Sequence, residues 1–491
     1  MSVYSRLLRA VINALDQPAP AAGAGHPTHR VARGALTLVF AITVFGRPAL
    51  AHGGPGIQSQ PVDTPIWLFL LTGGGVIAVS FLLTSFVTDR GVLDAYHERR
   101  LSVPGGAVIR DWGTYIAAIL GVAGLAAVLV IGVFGPPDPG RNLAVLLVWA
   151  VWWAGFTIST YLIGNAWPAI DPFARLTDLL PERGGVDLPA WVGRWPAVAG
   201  LLLLVWLEVV SNVASDPIQL ATVVGLYAVA SLVGSAILGS KTWRRQIDPI
   251  SNVFRLYGKI APVQRSEDGL VLAAPGAGLA NLDDPDEPTA GTTLQSEVGF
   301  VIALLWVTSY DGFVATPGWE ALAGPVVRAG LPAELTYFGA LLLGYGLFLA
   351  AYWWASKLVR RAGRTFRSRV AIGAAFAPSL VPIAAGYHLG HYLPYFLRLA
   401  PSSAVVAASP LSPPLGPPVL VLPGWVASIG PIAVLAGHVL AVWVAHSRAF
   451  ELFTGKLQPI RSQYPYVLVM VLYTMTGLWL LAQPTIDAPF L

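Results

Sequence analysis

The chain has 491 residues, of which 55% are hydrophobic and only 11% are charged. Soluble domains carry about 25% charged residues, so this deficit indicates that lipid surrounds much of the protein. The formal net charge of +4 is too small to suggest a nucleic-acid partner, and the lack of Cys excludes disulfides, thiolate metal sites, cysteine nucleophiles and iron–sulfur clusters.

The first 51 residues have the composition of a leader segment. Residues 1–34 are polar and basic, and the apolar run from Ala35 to Phe45 is shorter than the roughly 20 residues needed to span a bilayer. The small residues Ala49-Leu50-Ala51 follow. This order is typical of a signal peptide. We therefore expect residues 1–51 to be removed, so that the mature chain begins at His52.

Ten apolar segments follow and predict an all-α, polytopic helical membrane protein. They lie at about 65–87, 113–134, 142–164, 195–213, 217–239, 297–316, 334–357, 370–397, 424–446 and 464–483. Each is long enough to cross a bilayer as a helix, and none alternates as a strand would. Residues 52–491 are therefore expected to form one helical membrane domain with the lipid bilayer as its first partner.

The basic residues are distributed unevenly between the loops. With the mature N-terminus outside, 22 of the 30 Lys and Arg residues fall in cytoplasmic loops and 3 in external loops. Cytoplasmic loops of membrane proteins are enriched in Lys and Arg. The distribution predicts a multi-pass plasma-membrane protein with both mature termini outside. The longest cytoplasmic loop is acidic and rich in Pro around 281–288, which predicts partial disorder near 262–295.

Two short cytoplasmic motifs are alike and indicate either an internal repeat or a chance similarity. One runs from Trp167 to Asp171-Pro172, and the other from Trp243 to Asp248-Pro249. Asp before Pro is typical of a helix start, where Asp caps the free amides and Pro occupies the first helical position. We therefore expect both motifs to begin helices.

Five ionisable residues lie inside the apolar segments, where such residues are rare and usually functional. They are Glu208, Asp311, His388, His391 and His438. On the predicted topology they lie at similar depths, from the middle of the membrane outward. We expect a cluster of imidazoles and carboxylates that opens outward, with Glu208 or Asp311 as a base or proton carrier. The alternative is that each group only satisfies a neighbouring helix or a helix end.

The histidines also suggest a metal site. His388 and His391 are three residues apart on one helical face, which suits a single ion, and His438 is a candidate third ligand. His52 is a further candidate, because an N-terminal His can chelate Cu(II) through its amine and ring. The implied cofactor is a transition metal, Cu or Zn, and haem b held by His388 and His438 is the alternative.

Other features of the apolar segments are interpreted as structural. Prolines in the segment that carries the His pair predict a kinked helix, and His446 is expected at the cytoplasmic interface. Close helix packing is expected at two sets of residues, Gly73-Gly74-Gly75 and the cluster Trp149, Trp152 and Trp153.

Several stretches resemble a family of multi-spanning membrane proteins named fenitrothion hydrolase. The resembling pieces include Ala51-His52-Gly53, Pro65-Ile66-Trp67, Gly193-Arg194-Trp195-Pro196, Trp206-Leu207-Glu208, Asp311-Gly312, Tyr387-His388, His391-Tyr392, Gly437-His438, Ala445-His446 and Arg461-Ser462-Gln463-Tyr464. The resemblance implies a membrane protein of this topology, and the family name implies hydrolysis of organophosphate esters.

Three functions therefore fit the sequence. The first is transport or handling of a small solute or metal ion through the buried His and carboxylate residues. The second is a membrane-embedded, metal-dependent hydrolase, in which a metal-bound hydroxide attacks the ester. The third is a haem b protein. Whether the protein is an enzyme, which solute it handles and its oligomeric state are left open.

Overall fold

The computed structural model describes residues 66–178, 188–280, 291–484, 486 and 488–491. The expected signal peptide and His52 lie outside these residues, and so does the acidic stretch 281–290. The cleavage site, the copper chelate and the partial disorder of the long loop therefore stay predictions.

The described residues fold almost entirely into helices. In chain order they are α1 Ile66–Thr84, α2 Arg90–Glu98, α3 Gly106–Phe134, α4 Leu143–Leu162, α5 Trp167–Ile170, α6 Pro172–Thr177, α7 Trp195–Val210, α8 Pro217–Leu238, α9 Pro249–Gly258, α10 Gly291–Val314, α11 Pro317–Arg328, α12 Ala333–Ala362, α13 Arg369–Phe376, α14 Val381–Ala408, α15 Ile429–Leu452 and α16 Leu457–Ala482. Short helical turns lie at Pro139–Arg141, Asn212–Ala214, Ser240–Thr242, Ala277–Ala280, Ala377–Leu380 and Gly424–Ser428.

Within the described residues, seven helical segments are long and apolar enough to cross a membrane. They are Gly106–Phe134, Leu143–Leu162, Pro217–Leu238, Leu294–Val314, Ala333–Ala362, Arg369–Ala408 and Gly424–Leu452, and two shorter apolar helices lie at Gly73–Thr84 and Trp195–Val210. Each of the ten segments predicted from the sequence contains a helix. The fold class, an all-α membrane protein, is therefore confirmed at this level.

Contacts between loops sort the helix ends into two groups. At one end, Arg110 donates to the carbonyls of Ser266 and Glu267. At the other, the Arg141 guanidinium donates to the carbonyls of Pro413 and Pro414 at 2.9 and 3.0 Å. The sequence predicts that Arg110, Ser266 and Glu267 lie on the cytoplasmic side. It predicts that Arg141, Pro413 and Pro414 lie outside. Loops predicted to share a side therefore do contact each other.

A small antiparallel sheet closes the first of these ends. Its strands are β1 Leu101–Ser102, β2 Val263–Ser266 and β3 Gly269–Leu272, in the order β1-β3-β2, and Leu272 pairs with both Leu101 and Val263. The hairpin β2–β3 lies inside the segment expected to be partly disordered. Strand β1, in the loop between α2 and α3, adds backbone hydrogen bonds to this hairpin.

Glycines bring α14 and α15 into backbone contact. A Cβ at Gly386 would lie 2.4 Å from the carbonyl oxygen of Ala433, and one at Gly437 would lie 2.3 Å from that of Pro382. Gly390 and Gly430 approach each other in the same way, since a Cβ at Gly390 would lie 2.8 Å from the Gly430 Cα. We call these four residues, Gly386, Gly390, Gly430 and Gly437, the glycine seam. Small residues allow such close helix packing in membranes.

The segment expected to kink is interrupted just before the His pair. Helix α13 ends at Phe376, the 3₁₀ turn Ala377–Leu380 follows, and α14 begins at Val381. Pro378 lies in the turn, where its ring cannot continue an α-helix. The prediction of a distorted helix is therefore confirmed, although Pro394 lies within regular α14.

The glycines of α1 pack as expected. A Cβ at Gly73 would lie 2.0 Å from the Leu478 side chain in α16, and one at Gly74 would lie 3.4 Å from Val471. Nothing lies within 4 Å of a Cβ at Gly75. Two of the three glycines therefore serve the contact between α1 and α16.

Both Asp-Pro motifs begin helices. Asp171 accepts hydrogen bonds from the amides of Phe173 and Ala174 at the start of α6, and Asp248 accepts from the Ile250 amide at the start of α9. The two motifs also contact each other, since the Trp167 indole in α5 donates to Ser251 at 3.3 Å. Their role as helix caps is confirmed, and the question of a repeat stays open.

Candidate functional site

Helices α7 and α10 lie side by side and run in the same direction. Near their starts, Arg194 Nη1 lies 2.5 Å from Glu297 Oε2, and Arg255 in α9 reaches Glu297 Oε1 at 2.6 Å. Near their ends, Glu208 and Asp311 are close enough to interact electrostatically. The ion pair at one end thus sets the register that brings two carboxyl groups together at the other.

An imidazole completes this group. His391 Nε2 in α14 lies 3.8 Å from Asp311 Oδ2, close enough for an ion pair when the ring is protonated. The side chains of His391 and Asp311 are 25% and 15% exposed, so a small amount of solvent reaches them. We call Glu208, Asp311 and His391 the carboxylate–imidazole cluster. It contains three of the five ionisable residues that the sequence predicted to gather.

Tyrosines of α14 surround the cluster. Tyr387 and Tyr392 both interact electrostatically with Asp311, and Tyr392 also interacts with Glu208. Gly312 allows this approach, because a Cβ there would lie 2.6 Å from the Tyr387 hydroxyl. Hydroxyl groups next to carboxyl groups provide hydrogen-bonding groups along which a proton can move.

Glu208 differs from its neighbours because its carboxyl group has no hydrogen-bond donor among the described residues. It lines a cavity of about 340 Å³ between α3, α4, α7, α8 and α9. A carboxylate without a donor or counter-ion is strongly disfavoured in an apolar environment. Glu208 is therefore expected to hold either a proton or a cation.

Aromatic side chains form one wall of this cavity. Trp149, Trp152 and Trp153 lie on the central part of α4, Leu146–Phe156, which has π-helical hydrogen bonding, a distortion common at functional sites. Trp152 packs against Trp167, whose ring stacks on Phe254 at 4.7 Å. The tryptophans were interpreted as packing residues, and the structure adds that they line the cavity.

His388 contacts α4 and shares the Tyr392 ring with His391, at centroid distances of 4.6 and 4.8 Å. Its Nδ1 lies 3.2 Å from the Tyr161 hydroxyl in α4, and its ring makes an edge contact with Trp153. Its Nε2 is buried and has no hydrogen-bond partner among the described residues. Positions three apart differ by about 60° around a helix, which is enough for His388 to face α4 while His391 faces α10.

His438 occupies a third location. Its Nδ1 lies 2.8 Å from the Val434 carbonyl oxygen, and its ring borders a cavity of about 20 Å³ beside Thr308, Ser309 and Tyr387. That volume fits about one water molecule. The ring nitrogens of His388, His391 and His438 contact three different partners, which are Tyr161, Asp311 and the Val434 carbonyl. These contacts give no support to the expectation that the three rings bind one ion.

His446 is more deeply placed than expected. It is 0% exposed, and its Nε2 lies 2.8 Å from the Val87 carbonyl while Gln463 Nε2 lies 3.2 Å from its Nδ1. The loop after α1 and the start of α16 cover this end of α15. Both segments were assigned to the cytoplasmic side, so the interface position of His446 stays a prediction.

Within the described ranges, no group of three or more His, Asp or Glu side chains is arranged to hold a metal ion. The metal and haem hypotheses stay predictions. His388 Nε2 and His438 Nε2 are both without a hydrogen-bond partner among these residues, so each could still contact a ligand singly.

Two features of the site were not predicted from the sequence. The ion pairs of Glu297 with Arg194 and Arg255 were not foreseen, although Arg194 and Glu297 mark the starts of two apolar segments. The interaction of Tyr392 with the two carboxyl groups was not predicted either, since Tyr392 was noted only within the resembling piece His391-Tyr392. Opposite charges at matching ends of two segments are the signal that could have found the first.

Comparisons with known proteins found no relative. No family model matches the chain, and neither a curated protein nor a solved structure matches it. The resemblance to the fenitrothion hydrolase family therefore stays a prediction. Functional reasoning for this chain starts from the carboxylate–imidazole cluster and the cavity next to it.

Proposed function

We propose that the protein transports a small solute across the plasma membrane and that the carboxylate–imidazole cluster carries the protons that drive this movement. The observation that carries the proposal is the contact of His391 with Asp311 at 3.8 Å between apolar helices, with Glu208 near enough to Asp311 to interact electrostatically. Two nearby carboxyl groups repel each other when both are ionised, so they favour sharing a proton. Proton relays in transporters are built from such Asp, Glu and His groups.

The proposal includes a topology of ten membrane crossings with both mature termini outside. Seven apolar helices, the two groups of contacting loops and the distribution of basic residues support it. Glu208 and Asp311 lie two and three residues from the ends of α7 and α10. On this topology the cluster lies in the outer half of the membrane, within reach of external solvent.

A step in pH provides a test that needs no known substrate. Proteoliposomes adsorbed on a solid-supported membrane should show a transient charge displacement when the external pH is lowered, because protons enter the cluster. Glu208→Gln and Asp311→Asn should each reduce the displaced charge by about half or more, and the double variant should remove it. Glu320→Gln, at an exposed carboxylate of α11, is the matched control and should behave like the wild type.

An unchanged charge displacement in the folded double variant would reject the proposal. The same preparations test the two alternatives. Hydrolysis of an organophosphate triester that disappears in Glu208→Gln, while the charge displacement persists, would favour the hydrolase. A haem absorption spectrum in the purified protein would favour the haem b protein.

A further inference from the structure

The 340 Å³ cavity beside the cluster has the dimensions and chemistry of a ligand site. Small-molecule sites typically measure about 300–1,000 Å³ and combine apolar walls with a few polar groups. Among the described residues that line this cavity, Glu208 has the only charged side chain, and the remainder are apolar apart from Tyr227 and the indole groups. A ligand that fits must therefore be mostly apolar.

Two polar groups in the wall have no hydrogen-bond partner among the described residues. The carboxyl group of Glu208 receives no hydrogen bond from a described residue, and Trp149 Nε1 is buried without an acceptor among them. Buried polar groups are almost always satisfied by protein, water or ligand. Both groups belong to the lining of the same cavity. The carboxyl group accepts hydrogen bonds whereas the indole N–H only donates one, so the carboxyl group is the partner that a donating ligand would find.

The residues that line the cavity indicate the sign of the ligand's charge. The cavity has no described Lys, Arg or His in its lining to hold an anion. A carboxylate pairs with a cation, and aromatic faces such as those of Trp152, Trp153 and Trp167 also attract ammonium groups. A neutral apolar molecule would leave Glu208 protonated or unpaired.

We propose that this cavity binds a lipophilic amine, with its ammonium group on Glu208 and its apolar body against the aromatic wall. The inference rests on the proposed function and names its substrate class. Proton and ammonium compete for one carboxyl group, so binding of the amine displaces the proton. Movement of the amine in one direction would then be accompanied by movement of a proton in the other.

Equilibrium dialysis with a matched pair of probes tests this site. Naphthylethylamine and naphthylethanol share an apolar body and differ in charge. The purified protein in detergent should bind the amine saturably and at least about tenfold more tightly than the alcohol, after subtraction of binding to protein-free micelles. Glu208→Gln should remove the preference for the amine, and Glu320→Gln should keep it.

A second variant fills the cavity without touching Glu208. Gly124 lies in the lining, and the nearest atom to a Cβ there is Leu147 Cδ2 at 3.9 Å, so a larger side chain has room. Gly124→Leu should lower the affinity for the amine by about tenfold or more, while the charge displacement after a pH step persists. Elution as a single peak by size-exclusion chromatography shows that the variant is folded.

Equal affinity for the amine and the alcohol, or an unchanged preference in Glu208→Gln, would overturn the inference and indicate a site for neutral apolar molecules such as lipid chains. Lack of saturable binding would overturn it too. If the amine result fails and the charge displacement persists, only the substrate class is wrong. If the charge displacement fails and amine binding persists, proton-driven transport is wrong and the binding site stands.

Discussion

Glu208 is the residue on which the site depends most directly, because a carboxylate inside a bilayer needs a proton or a cation. Asp311 has His391 at 3.8 Å, whereas Glu208 has no comparable partner among the described residues. Glu208 is thus the group whose charge state responds to what enters the cavity.

Gly312 offers a test of the close contact next to Asp311. Gly312→Ala should destabilise the protein by about 1 kcal/mol or more, because the new methyl group would lie 2.6 Å from the buried Tyr387 hydroxyl. Tyr387→Phe removes that hydroxyl and should restore most of the loss in the double variant. Thermal unfolding in detergent measures all three proteins.

Gly339→Ala is the matched control, since nothing lies within 4 Å of a Cβ at this position in α12. It should be neutral or slightly stabilising, because Ala favours a helix more than Gly does. Equal destabilisation by Gly312→Ala with and without Tyr387→Phe would show that the contact at Asp311 is not what requires Gly312.

For single residues, the sequence identifies the ionisable side chains of the site more reliably than it identifies the residues that contact them. Glu208 and Asp311 are visible because acids are rare in apolar segments. The His pair is visible too, yet His388 contacts Tyr161 and His391 contacts Asp311. Helical spacing fixes only the direction of each side chain, and the identity of the facing helix comes from long-range packing.

Among the elements, the short helices α6 and α9 are defined by buried acidic caps. Asp171 is 2% exposed and Asp248 is 3% exposed. Burial, followed by the nearby charge of Asp248, raises the pKa of Asp171 from 3.8 to about 6, although the amides of Phe173 and Ala174 oppose this effect. Burial raises the pKa of Asp248 as well.

This raised pKa predicts a pH dependence of stability. The folded protein binds the Asp171 proton more tightly than the unfolded chain, so the stabilisation is full below pH 3.8 and is lost as the pH rises through about 6. The loss amounts to at most about 3 kcal/mol. Asp171→Asn keeps the cap and should be more stable than the wild type above this window, as measured by thermal unfolding across pH.

Asp216→Asn provides the control, because Asp216 caps α8 in the same Asp-Pro arrangement but is only partly buried. Asp171→Asn should change the dependence of stability on pH more than Asp216→Asn does, because only Asp171 is fully buried. If Asp171→Asn follows the wild-type curve, the buried carboxyl group does not contribute to the pH dependence of stability.

Secondary-structure elements whose boundaries depend on neighbouring residues in the chain were predicted well from the sequence. The Asp-Pro caps were predictable because Asp accepts hydrogen bonds from the free amides at a helix start. The break before α14 was predictable because Pro cannot continue an α-helix. The π-helical part of α4 and the hairpin β2–β3 were not predicted. The first packs closely on α14, where Phe396 lies 2.6 Å from a Cβ placed on Gly155, and the second pairs with β1, more than 160 residues earlier in the chain.

For the whole molecule, the two groups of contacting loops predict which residues face each side of the membrane. Ser102 and Ser412 are exposed at opposite ends. The chain lacks Cys, so Ser102→Cys and Ser412→Cys each introduce a single thiol. A membrane-impermeant maleimide should label Ser412→Cys in intact cells and Ser102→Cys only after the cells are permeabilised.

Labelling in the reverse pattern would show that the orientation is inverted. Labelling of both, or of neither, in intact cells would mean that an even number of crossings separates the two sites. In that case the proposed count of ten crossings would need revision, while the helices themselves would stand.

The all-α membrane class was predictable, because the length of an apolar segment is set by the thickness of the bilayer. The number of crossings and the orientation stay predictions. The cavity was not predictable, because its lining comes from five helices, α3, α4, α7, α8 and α9, together with the short helices α5 and α6. No single segment carries a signal for a space that arises only when several helices meet. The separation of His388, His391 and His438 has the same origin.

The glycine seam has a consequence for how this protein can move. With backbone against backbone at Gly386, Gly390, Gly430 and Gly437, α14 and α15 have no intervening layer of side chains that could rearrange. We expect α14 and α15 to move as one rigid unit. Any opening towards either side of the membrane would then require other helices to move relative to this pair.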